Sequence, residues 1–570
     1  MDPKLDPKLD QMRHSAAHLL AHAIALLYPE TKFTIGPATD NGFFYDFLPL
    51  VNLKEEDLAA IEHEMHEIVQ RKLPITQRLV DKDEARMLFK NNPFKLELID
   101  QIPDEQVGIS QQGTFLDLCK GGHVASTGDI KYFKLTNISG SYWRGDRENQ
   151  ALQRISGVAF LTQEAFEHFE KQQAEALLYD HRKLGKEMDL FSLQPEGPGF
   201  PFFHPKGMVI MNQLKKFMSG LLEEHGYQEI STPTILNEEL WVQSGHATFY
   251  RDNMYFIQID SVGYAVKPMS CPGAFLIYGS RPRSYRELPL RFSEFGHVHR
   301  RELSGVLHGL LRVRAFTQDD AHIMCTFDQL ESEITTVLGL VGAMLKKVGF
   351  EQPTIYLATR PENAMGNVVV WDRAIAILEQ ALTKAGLDFI TKPGEGAFYG
   401  PKIEFGIHDS MGRTWQCGTI QVDFLQPENF DLSYITPEGN RERVVVVHHA
   451  IYGSFERFFA VLLEHYKGRL PFWLAPEQCR ILTICPEVAE YAKTISASLK
   501  KIGIRTELDA SDEQLSSKIK DAQLERIPWM VILGKKEAEQ QTLTIRLPDG
   551  KQRMGLTLAQ VLEEAQALNT

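Results

Sequence analysis

The sequence predicts an α+β protein of several domains whose central part is a mainly antiparallel sheet. A chain of 570 residues is long enough for three or four domains. Candidate strands between residues 254 and 448 follow one another at hairpin-like spacing, which is typical of antiparallel sheets. After residue 473, strand and helix patterns alternate, as they do in a small α/β module.

The composition is that of a globular protein without membrane spans. With 43% hydrophobic residues, the chain can bury several ordinary cores. Six cysteines are too few for a disulfide framework at this length, and we find neither a secretory signal nor an apolar run of about 20 residues. We therefore expect a cytoplasmic protein with no membrane partner. The net charge of −14 disfavours broad nucleic-acid binding, but arginine clusters at 281–286 and 299–314 remain able to contact phosphates.

Changes of pattern divide the chain into five segments. A proline-broken polar repeat predicts a disordered N-terminus at residues 1–10, and a first globular domain follows at 11–156. An amphipathic pattern predicts one long helix from Thr162 to Leu190, within a linker at 157–200 that ends in a run of prolines and glycines. The central domain is expected at 201–472 and the last domain at 473–570.

Three short blocks of the central domain, at 267–273, 316–322 and 445–450, carry metal-ligand side chains. They supply Cys271, His322 and a choice between His448 and His449. A thiolate and two neutral imidazoles are a favoured zinc ligand set, and three protein ligands leave a coordination position for a substrate. Neighbouring strand residues face opposite sides of a sheet, so only one of the two adjacent histidines can be a ligand.

Arginines in two other places suggest a nucleotide site near these blocks. Arg300 and Arg312 lie on the two arms of a predicted strand–loop–strand, and the arginine fork suits phosphate oxygens. Gly453 and Arg457 open a helix after a strand, which lets a nucleotide approach the backbone. Together with an extended segment that ends at Pro233, these features indicate ATP binding.

This set resembles the three signature motifs of class II aminoacyl-tRNA synthetases. Longer blocks at 269–273, 312–322, 394–405, 415–419 and 453–458 are similar to the threonyl-tRNA synthetase family, of the bacterial type. The resemblance covers residues from about 11 to 570. It implies an antiparallel class II catalytic core, an N-terminal α/β editing domain (the second additional domain) and a C-terminal α/β anticodon-binding domain.

The resemblance also implies an activity, its cofactors and its partners. The expected reaction is ATP-dependent conversion of L-threonine to threonyl-adenylate, followed by transfer to tRNA(Thr), in a homodimer with Mg²⁺ on the ATP. One Zn²⁺ per subunit is implied at Cys271, His322 and His448. The choice of His448 follows from the family pattern, in which an arginine comes directly after the third ligand, at the position of His449 in this chain. Zinc would distinguish threonine from valine, which lacks the hydroxyl group. The implied catalytic residues are Arg300, Glu302, Arg312 and Arg457, and the implied substrate-binding residues are Gln318, Asp320, Tyr399, Lys402, Gln416 and Ser454.

A second group of candidates lies in the first domain. His14 and His18 share a helix face, and Cys119 and His123 form another pair, so spacing alone suggests a four-ligand zinc site. The resemblance instead implies a site that hydrolyses mischarged Ser-tRNA(Thr), in which these residues bind and position substrate and water, so we assign them to editing and not to a metal. Serine is only one methyl smaller than threonine, a difference of about 1–3 kcal/mol in binding, so editing is needed. The implied editing residues are His14, His18, Tyr45, Lys95, Asp117, Cys119 and His123.

The chain departs from the family pattern at Lys120 and Gly122 in the editing block and at Asp512 in the last domain. It also begins close to the predicted editing helix, so we expect the family's N-terminal ubiquitin-like domain to be absent. These departures leave one alternative open. It is a divergent paralogue that uses threonine adenylation outside translation or as a drug-resistant duplicate. A non-catalytic RNA-binding protein is disfavoured, because such a protein has no need for the intact arginines and zinc ligands.

Overall fold

The computed structural model describes residues 6–39, 42–146, 149–350, 353–362, 364–409 and 413–569. The chain forms two compact units, one ending at Ala174 and the other beginning at Glu175. Both units combine helices with antiparallel strands, which confirms the predicted α+β class. Within the described ranges, no helix is long and apolar enough to cross a membrane.

The first unit packs a long helix against a sheet. Leu19, Leu20 and Ile24 of the helix Pro7–Leu27 are fully buried in a core shared with the strand Gly42–Leu48. The main sheet has the order Lys32–Phe33, Gly42–Leu48, Ala151–Phe160, Tyr132–Tyr142, with Ala38–Thr39 beside Gly42–Leu48. A second sheet contains Ile75–Asp81, Gln106–Gln112 and Phe115–Leu118, and the other helices are Leu58–Gln70, Lys82–Leu88 and Pro93–Gln101.

The predicted disorder of residues 1–10 is wrong for its last part, because the first helix begins at Pro7. The carboxylate of Asp6 accepts a hydrogen bond from the backbone N–H of Lys8 at 3.0 Å and so caps the helix. Proline is tolerated at the first helical position, where its missing N–H has no partner to lose. Residues 1–5 of that prediction lie outside the described part of the chain.

The predicted single helix from Thr162 to Leu190 is also wrong. The structure has two helices, Gln163–Leu178 and His181–Glu187. Asp180 separates them, because its carboxylate accepts from the backbone N–H of Arg182 at 2.7 Å and starts a new helix. The first helix ends at Leu178, and the side chain of Asp180 caps the second.

An eight-stranded sheet forms the centre of the second unit. Its strands have the order Gln228–Glu229, Leu290–His299, Ala315–Cys325, Val445–Ala450, Thr414–Asp423, Lys402–His408, Thr354–Ala358, Ile390–Lys392. The two edge pairs are parallel and all inner pairs are antiparallel. The core beside the sheet includes side chains from the helices Pro205–Glu224, Leu330–Val348, Val368–Lys384 and Phe455–His465.

Side chains alternate between the two faces of this sheet. Along Ala315–Cys325, residues 321, 323 and 325 join the helical core, whereas residues 318, 320 and 322 face a cavity. The outer elements of this domain include a three-stranded sheet, Ile235–Asn237, Val262–Val266 and Tyr255–Ile259, and the helix Cys271–Gly279. The sheet therefore has one face that lines the cavity and one face that packs against the helical core.

The last part of the chain is the predicted α/β module. Its five strands have the order Thr506–Asp509, Cys479–Thr483, Trp529–Leu533, Thr542–Arg546, Gln552–Thr557, of which the first three are parallel. The helices are Ala489–Lys501, Leu515–Leu524, Lys535–Gln540 and Leu558–Asn569. The sequence prediction missed the strand Gln552–Thr557 and the short helix Lys535–Gln540.

Candidate active site and editing site

A cavity of about 420 Å³ lies on the face of the eight-stranded sheet that is opposite the helical core. The structure brings to its wall all thirteen side chains predicted for ATP, threonine and zinc, although they come from distant parts of the sequence. They are Cys271, Arg300, Glu302, Arg312, Gln318, Asp320, His322, Tyr399, Lys402, Gln416, His448, Ser454 and Arg457. The predicted residues therefore share one site.

Three buried donors meet at the inner end of this cavity. The sulfur of Cys271 and one ring nitrogen from each of His322 and His448 lie within 4.8 Å of one another. Cys271 begins the helix Cys271–Gly279, while the two histidines lie opposite each other on adjacent antiparallel strands. Strand register and helix start therefore bring the three donor atoms together.

The chemistry of these donors fits a soft divalent cation. Burial raises the pKa of the Cys271 thiol well above its ordinary value and lowers the pKa of His322 well below its own. Among the described residues, Nε2 of His322 has no hydrogen-bond partner although it is buried. Asp423 accepts a hydrogen bond from Nε2 of His448 at 3.0 Å, as carboxylates beside zinc-ligating histidines commonly do. A metal would complete the coordination of His322 and stabilise the thiolate.

His449 belongs to the other face of the same strand. The hydroxyl group of Tyr227 lies 2.7 Å from its Nε2 atom. Burial also lowers the pKa of His449 to about 3, so this imidazole is neutral. Of the two adjacent histidines, the structure places only His448 with Cys271 and His322.

Three arginines make the outer part of the cavity positive. Arg457 is held by two backbone carbonyl groups, those of Leu311 (3.0 Å from Nε) and Gln416 (3.1 Å from Nη1). Burial lowers the pKa of Arg457, and the charges of Arg300 and Arg312 lower it further. Such convergence of like charges is unfavourable without an anion and therefore suits phosphate groups.

Two further contacts shape the same region. Arg312 forms an ion pair with Glu302, with Nη2 3.0 Å from Oε2. The guanidinium of Arg300 lies 5.1 Å from the centre of the Phe316 ring, within cation–π distance. Phe316 was not predicted as a site residue, although it directly follows the arginine block.

A buried carboxylate holds the turn that carries Ser454. Asp319 accepts hydrogen bonds from the backbone N–H groups of Ile451, Tyr452 and Gly453 at 2.8–2.9 Å. Burial raises the pKa of Asp319 to about 7, and these three bonds act against that rise. Gly453 has a φ of +76°, and a Cβ atom there would lie 2.4 Å from the carbonyl oxygen of Cys417. Only glycine lets the turn pass so close to the neighbouring strand.

Polar side chains line the floor of the cavity. Tyr399 donates to the amide oxygen of Gln421 at 2.6 Å, and Gln416 donates to Glu404 at 2.9 Å. Lys402 forms an ion pair with the same Glu404 at 2.6 Å. Gln421, Thr419 and Glu404 were missed from the sequence. The two-residue alternation of Thr419 and Gln421 along their strand would have indicated these two residues.

The seven predicted editing residues also form one cluster, in the first unit. The sulfur of Cys119 lies 3.5 Å from Nε2 of His14 and 3.1 Å from Nε2 of His123. His18 lies 3.6 Å from the carboxylate of Asp117 through its Nδ1 atom. The four donors His14, His18, Cys119 and His123 lie within 4.8 Å of one another, so their geometry alone is also compatible with a metal.

Asp117 contacts the two remaining predicted editing residues, Tyr45 and Lys95. Tyr45 donates to its Oδ2 atom at 2.5 Å, and Lys95 forms an ion pair with Oδ1. Burial lowers the pKa of His123 to about 4 and the pKa of His18 well below its ordinary value. The cluster therefore combines neutral imidazoles with one buried ion pair.

Three protein-family models match this chain. The class II core domain of tRNA synthetases (G, H, P, S and T) matches residues 255–466, and an anticodon binding domain matches residues 478–568. The second additional domain of threonyl and alanyl tRNA synthetases matches residues 107–156.

Curated relatives are similar over most of the chain. A threonine–tRNA ligase from Caldanaerobacter subterraneus is 50% identical over 527 residues, covering 92% of this chain and 82% of the relative. One from Thermotoga maritima is 49% identical over 534 residues, covering 93% and 83%. This identity extends through both units.

Solved structures are similar as well. The RNA binding domain of threonyl-tRNA synthetase from Cryptosporidium parvum has a TM-score of 0.66 and 39% identity, covering 68% of this chain and 98% of that one. Prolyl-tRNA synthetase from Giardia lamblia, solved with prolyl-adenylate, has a TM-score of 0.58 over 70% of this chain and 80% of that one. At 16% identity, the second likeness concerns the fold alone.

Proposed function

Because the chain belongs to the threonyl-tRNA synthetase family of class II aminoacyl-tRNA synthetases, we propose that the thirteen residues of the central cavity carry out its two-step reaction. The enzyme is a threonine–tRNA ligase, which activates threonine with ATP and transfers it to tRNA. The observation that carries the residue roles is the convergence of all thirteen side chains on one cavity. No observation supports the alternative of a divergent paralogue.

Activation requires little covalent chemistry from the protein. The threonine carboxylate attacks the α-phosphorus of ATP, and pyrophosphate leaves with the bonding electron pair. Arg300 binds the α-phosphate and Arg457 holds ATP from the opposite side, so that both neutralise charge as it develops. Arg312 contacts a further phosphate, Glu302 contacts the adenine, and Mg²⁺ accompanies the ATP. Positioning and electrostatics provide the catalysis.

We propose that Cys271, His322 and His448 hold one zinc ion per subunit. Two observations support this assignment: the three buried donors lie within 4.8 Å of one another, and Nε2 of His322 has no hydrogen-bond partner among the described residues. When bound, the ion supplies a Lewis acid for the amino and hydroxyl groups of threonine. The side chains that complete the amino-acid and adenylate pocket are Gln318, Asp320, Tyr399, Lys402, Gln416 and Ser454.

Two assays test the central proposal. Threonine should stimulate exchange of pyrophosphate into ATP, and purified tRNA(Thr) should be charged with threonine. Exchange without charging would favour the paralogue, and absence of both would refute the proposed roles. Metal analysis of the purified enzyme and of Cys271→Ser should give about one zinc and no zinc at this site, respectively.

The cluster around Cys119 is proposed to edit Ser-tRNA(Thr) without a metal. Its neutral imidazoles are suited to bind substrate and water, and Asp117 orients His18, Tyr45 and Lys95. His18→Ala should slow deacylation of Ser-tRNA(Thr) by about 10²-fold or more. Threonine activation should stay unchanged, because His18 belongs to the first unit. Equal deacylation by wild type and variant would exclude this role.

We further propose a cytoplasmic homodimer. All six cysteines are free thiols, as expected in a reducing compartment. The hairpin Tyr255–Ile259 and Val262–Val266 exposes Ile257, Ile259 and Val262, an apolar surface that a second copy would cover. Light scattering should give twice the chain mass. The domain bounds proposed are 11–156, 157–200, 201–472 and 473–570, with the first helix extending forward to Pro7.

A further inference from the structure

We propose that His181, which lies before the catalytic core in the sequence, is a positioning residue of the ATP site. Its imidazole anchors the loop 303–311, which joins Arg300 to Arg312. The inference rests on the proposed roles of Arg312 and Arg457 in ATP binding. It adds to them a residue outside the cavity that holds the backbone supporting both arginines.

The imidazole of His181 is bonded at both of its nitrogens. The side chain is fully buried at the start of the helix His181–Glu187. Its Nδ1 atom lies 2.7 Å from Oε1 of Glu464, and the backbone N–H of His181 donates to the same oxygen at 3.1 Å. On the other side of the ring, Nε2 accepts a hydrogen bond from the backbone N–H of Leu310 at 3.0 Å.

These partners determine the tautomer. The N–H of Leu310 is only a donor, so Nε2 of His181 must carry a lone pair and the ring proton lies on Nδ1. Nδ1–H then donates to the carboxylate of Glu464. A single imidazole therefore connects the loop to the helix Phe455–His465, which carries both Glu464 and Arg457.

The anchored residue is next to the carbonyl group that orients Arg457. The carbonyl oxygen of Leu311 accepts from Nε of Arg457 at 3.0 Å. The same turn leads into Arg312, because the backbone N–H groups of Leu311 and Arg312 both donate to the carbonyl of His308. A shift of Leu310 would therefore move the support of one arginine and the backbone of the other.

The loop passes close to the ring, which makes this contact specific. Gly309 has a φ of +50°, and a Cβ atom there would lie 2.0 Å from Nε2 of His181. Any other residue would push the loop off the imidazole or strain the backbone. Gly305, in the same loop, has open space around its Cβ position and therefore provides a matched control.

Two variants at position 181 test the proposal by pyrophosphate exchange. The amide of His181→Asn can still donate to Glu464 but is too short to reach Leu310. We expect its kcat/KM for ATP to fall about tenfold, the effect of losing one hydrogen bond, while the KM for threonine stays within about twofold. The longer His181→Gln places an acceptor near Leu310 and should recover most of the loss.

Gly309→Ala tests the same contact without altering the histidine. It should reproduce the ATP defect, whereas Gly305→Ala should not. If both histidine variants lower the ATP and threonine constants in parallel with thermal stability, or if Gly309→Ala matches Gly305→Ala, His181 is only structural and the inference is wrong. A wild-type enzyme without threonine-dependent exchange would instead refute the proposed function on which the inference depends.

Discussion

Asp423→Asn should weaken metal binding at Cys271, His322 and His448 while leaving the fold intact. The carboxylate is fully buried. Its Oδ1 atom accepts from the backbone N–H groups of Leu425 and Gln426 at 2.8 and 2.9 Å, and its Oδ2 atom accepts from His448. Asparagine can keep the first two bonds through its amide oxygen. It then turns an NH₂ group toward Nε2–H of His448, where two donors meet.

The size of the effect follows from the bond that is lost. A carboxylate that orients a ligating histidine contributes about 10- to 100-fold to metal affinity, which corresponds to about 1.4–2.7 kcal/mol. Because the contact is buried and only 3.0 Å long, we expect a value in this range and not the smaller effect of an exposed bond. Discrimination between threonine and valine should decline at limiting zinc.

The assay is a competition titration with a zinc chelator, followed by activation of threonine and valine at fixed free zinc. His449→Asn is the matched control, because it lies on the same strand but faces Tyr227. That variant should retain zinc affinity within about twofold, since its side chain points away from the cavity. If Asp423→Asn binds zinc as tightly as wild type, the bond to His448 does not orient a ligand and the argument fails.

Two other predictions concern nucleotide binding and stability. Arg457→Lys should lower kcat/KM for ATP by about 10²-fold, since lysine lacks the fork that reaches Leu311 and Gln416. Pyrophosphate exchange measures this, and an unchanged constant would contradict the role. Burial lowers the pKa of His22 from 6.5 to about 4 in the folded chain. As pH falls, the imidazole of the unfolded chain is therefore protonated before that of the folded chain, which favours unfolding. The free energy of unfolding should fall by up to about 3 kcal/mol between these pH values, and His22→Leu should remove that part of the slope. Urea titrations at several pH values measure this dependence. If the free energy of unfolding falls with pH equally in both proteins, the reasoning is wrong.

Strands were predictable from the sequence where a short run of residues has both the hydrophobic pattern and the length that are typical of a strand. Such patterns at 402–408 and 529–533 predict two strands, and the structure has them as Lys402–His408 and Trp529–Leu533. Boundaries set by a single side chain were missed, because capping depends on local geometry that hydrophobic period does not report. Asp6 and Asp180, which start helices, are the examples.

The site was predictable as a set of residues through the family resemblance, but not as an arrangement. Spacing along the chain does not reveal that His322 and His448 lie opposite each other, because strand order places them so. His181 had no signal at all. It stands in a segment rich in lysine and arginine, which is typical of an exposed helix, yet it is fully buried by partners far away in sequence.

The strand Val445–Ala450 restricts where this chain can change in length. His448 and His449 serve opposite sides of one sheet, the first beside Cys271 and the second against Tyr227. Inserting one residue just before Val447 would put Val447 in the place of His448 beside Cys271 and turn the imidazole of His448 to the opposite side of the sheet. Natural length variants should therefore place their insertions in turns such as 436–440, and keep this strand at constant length.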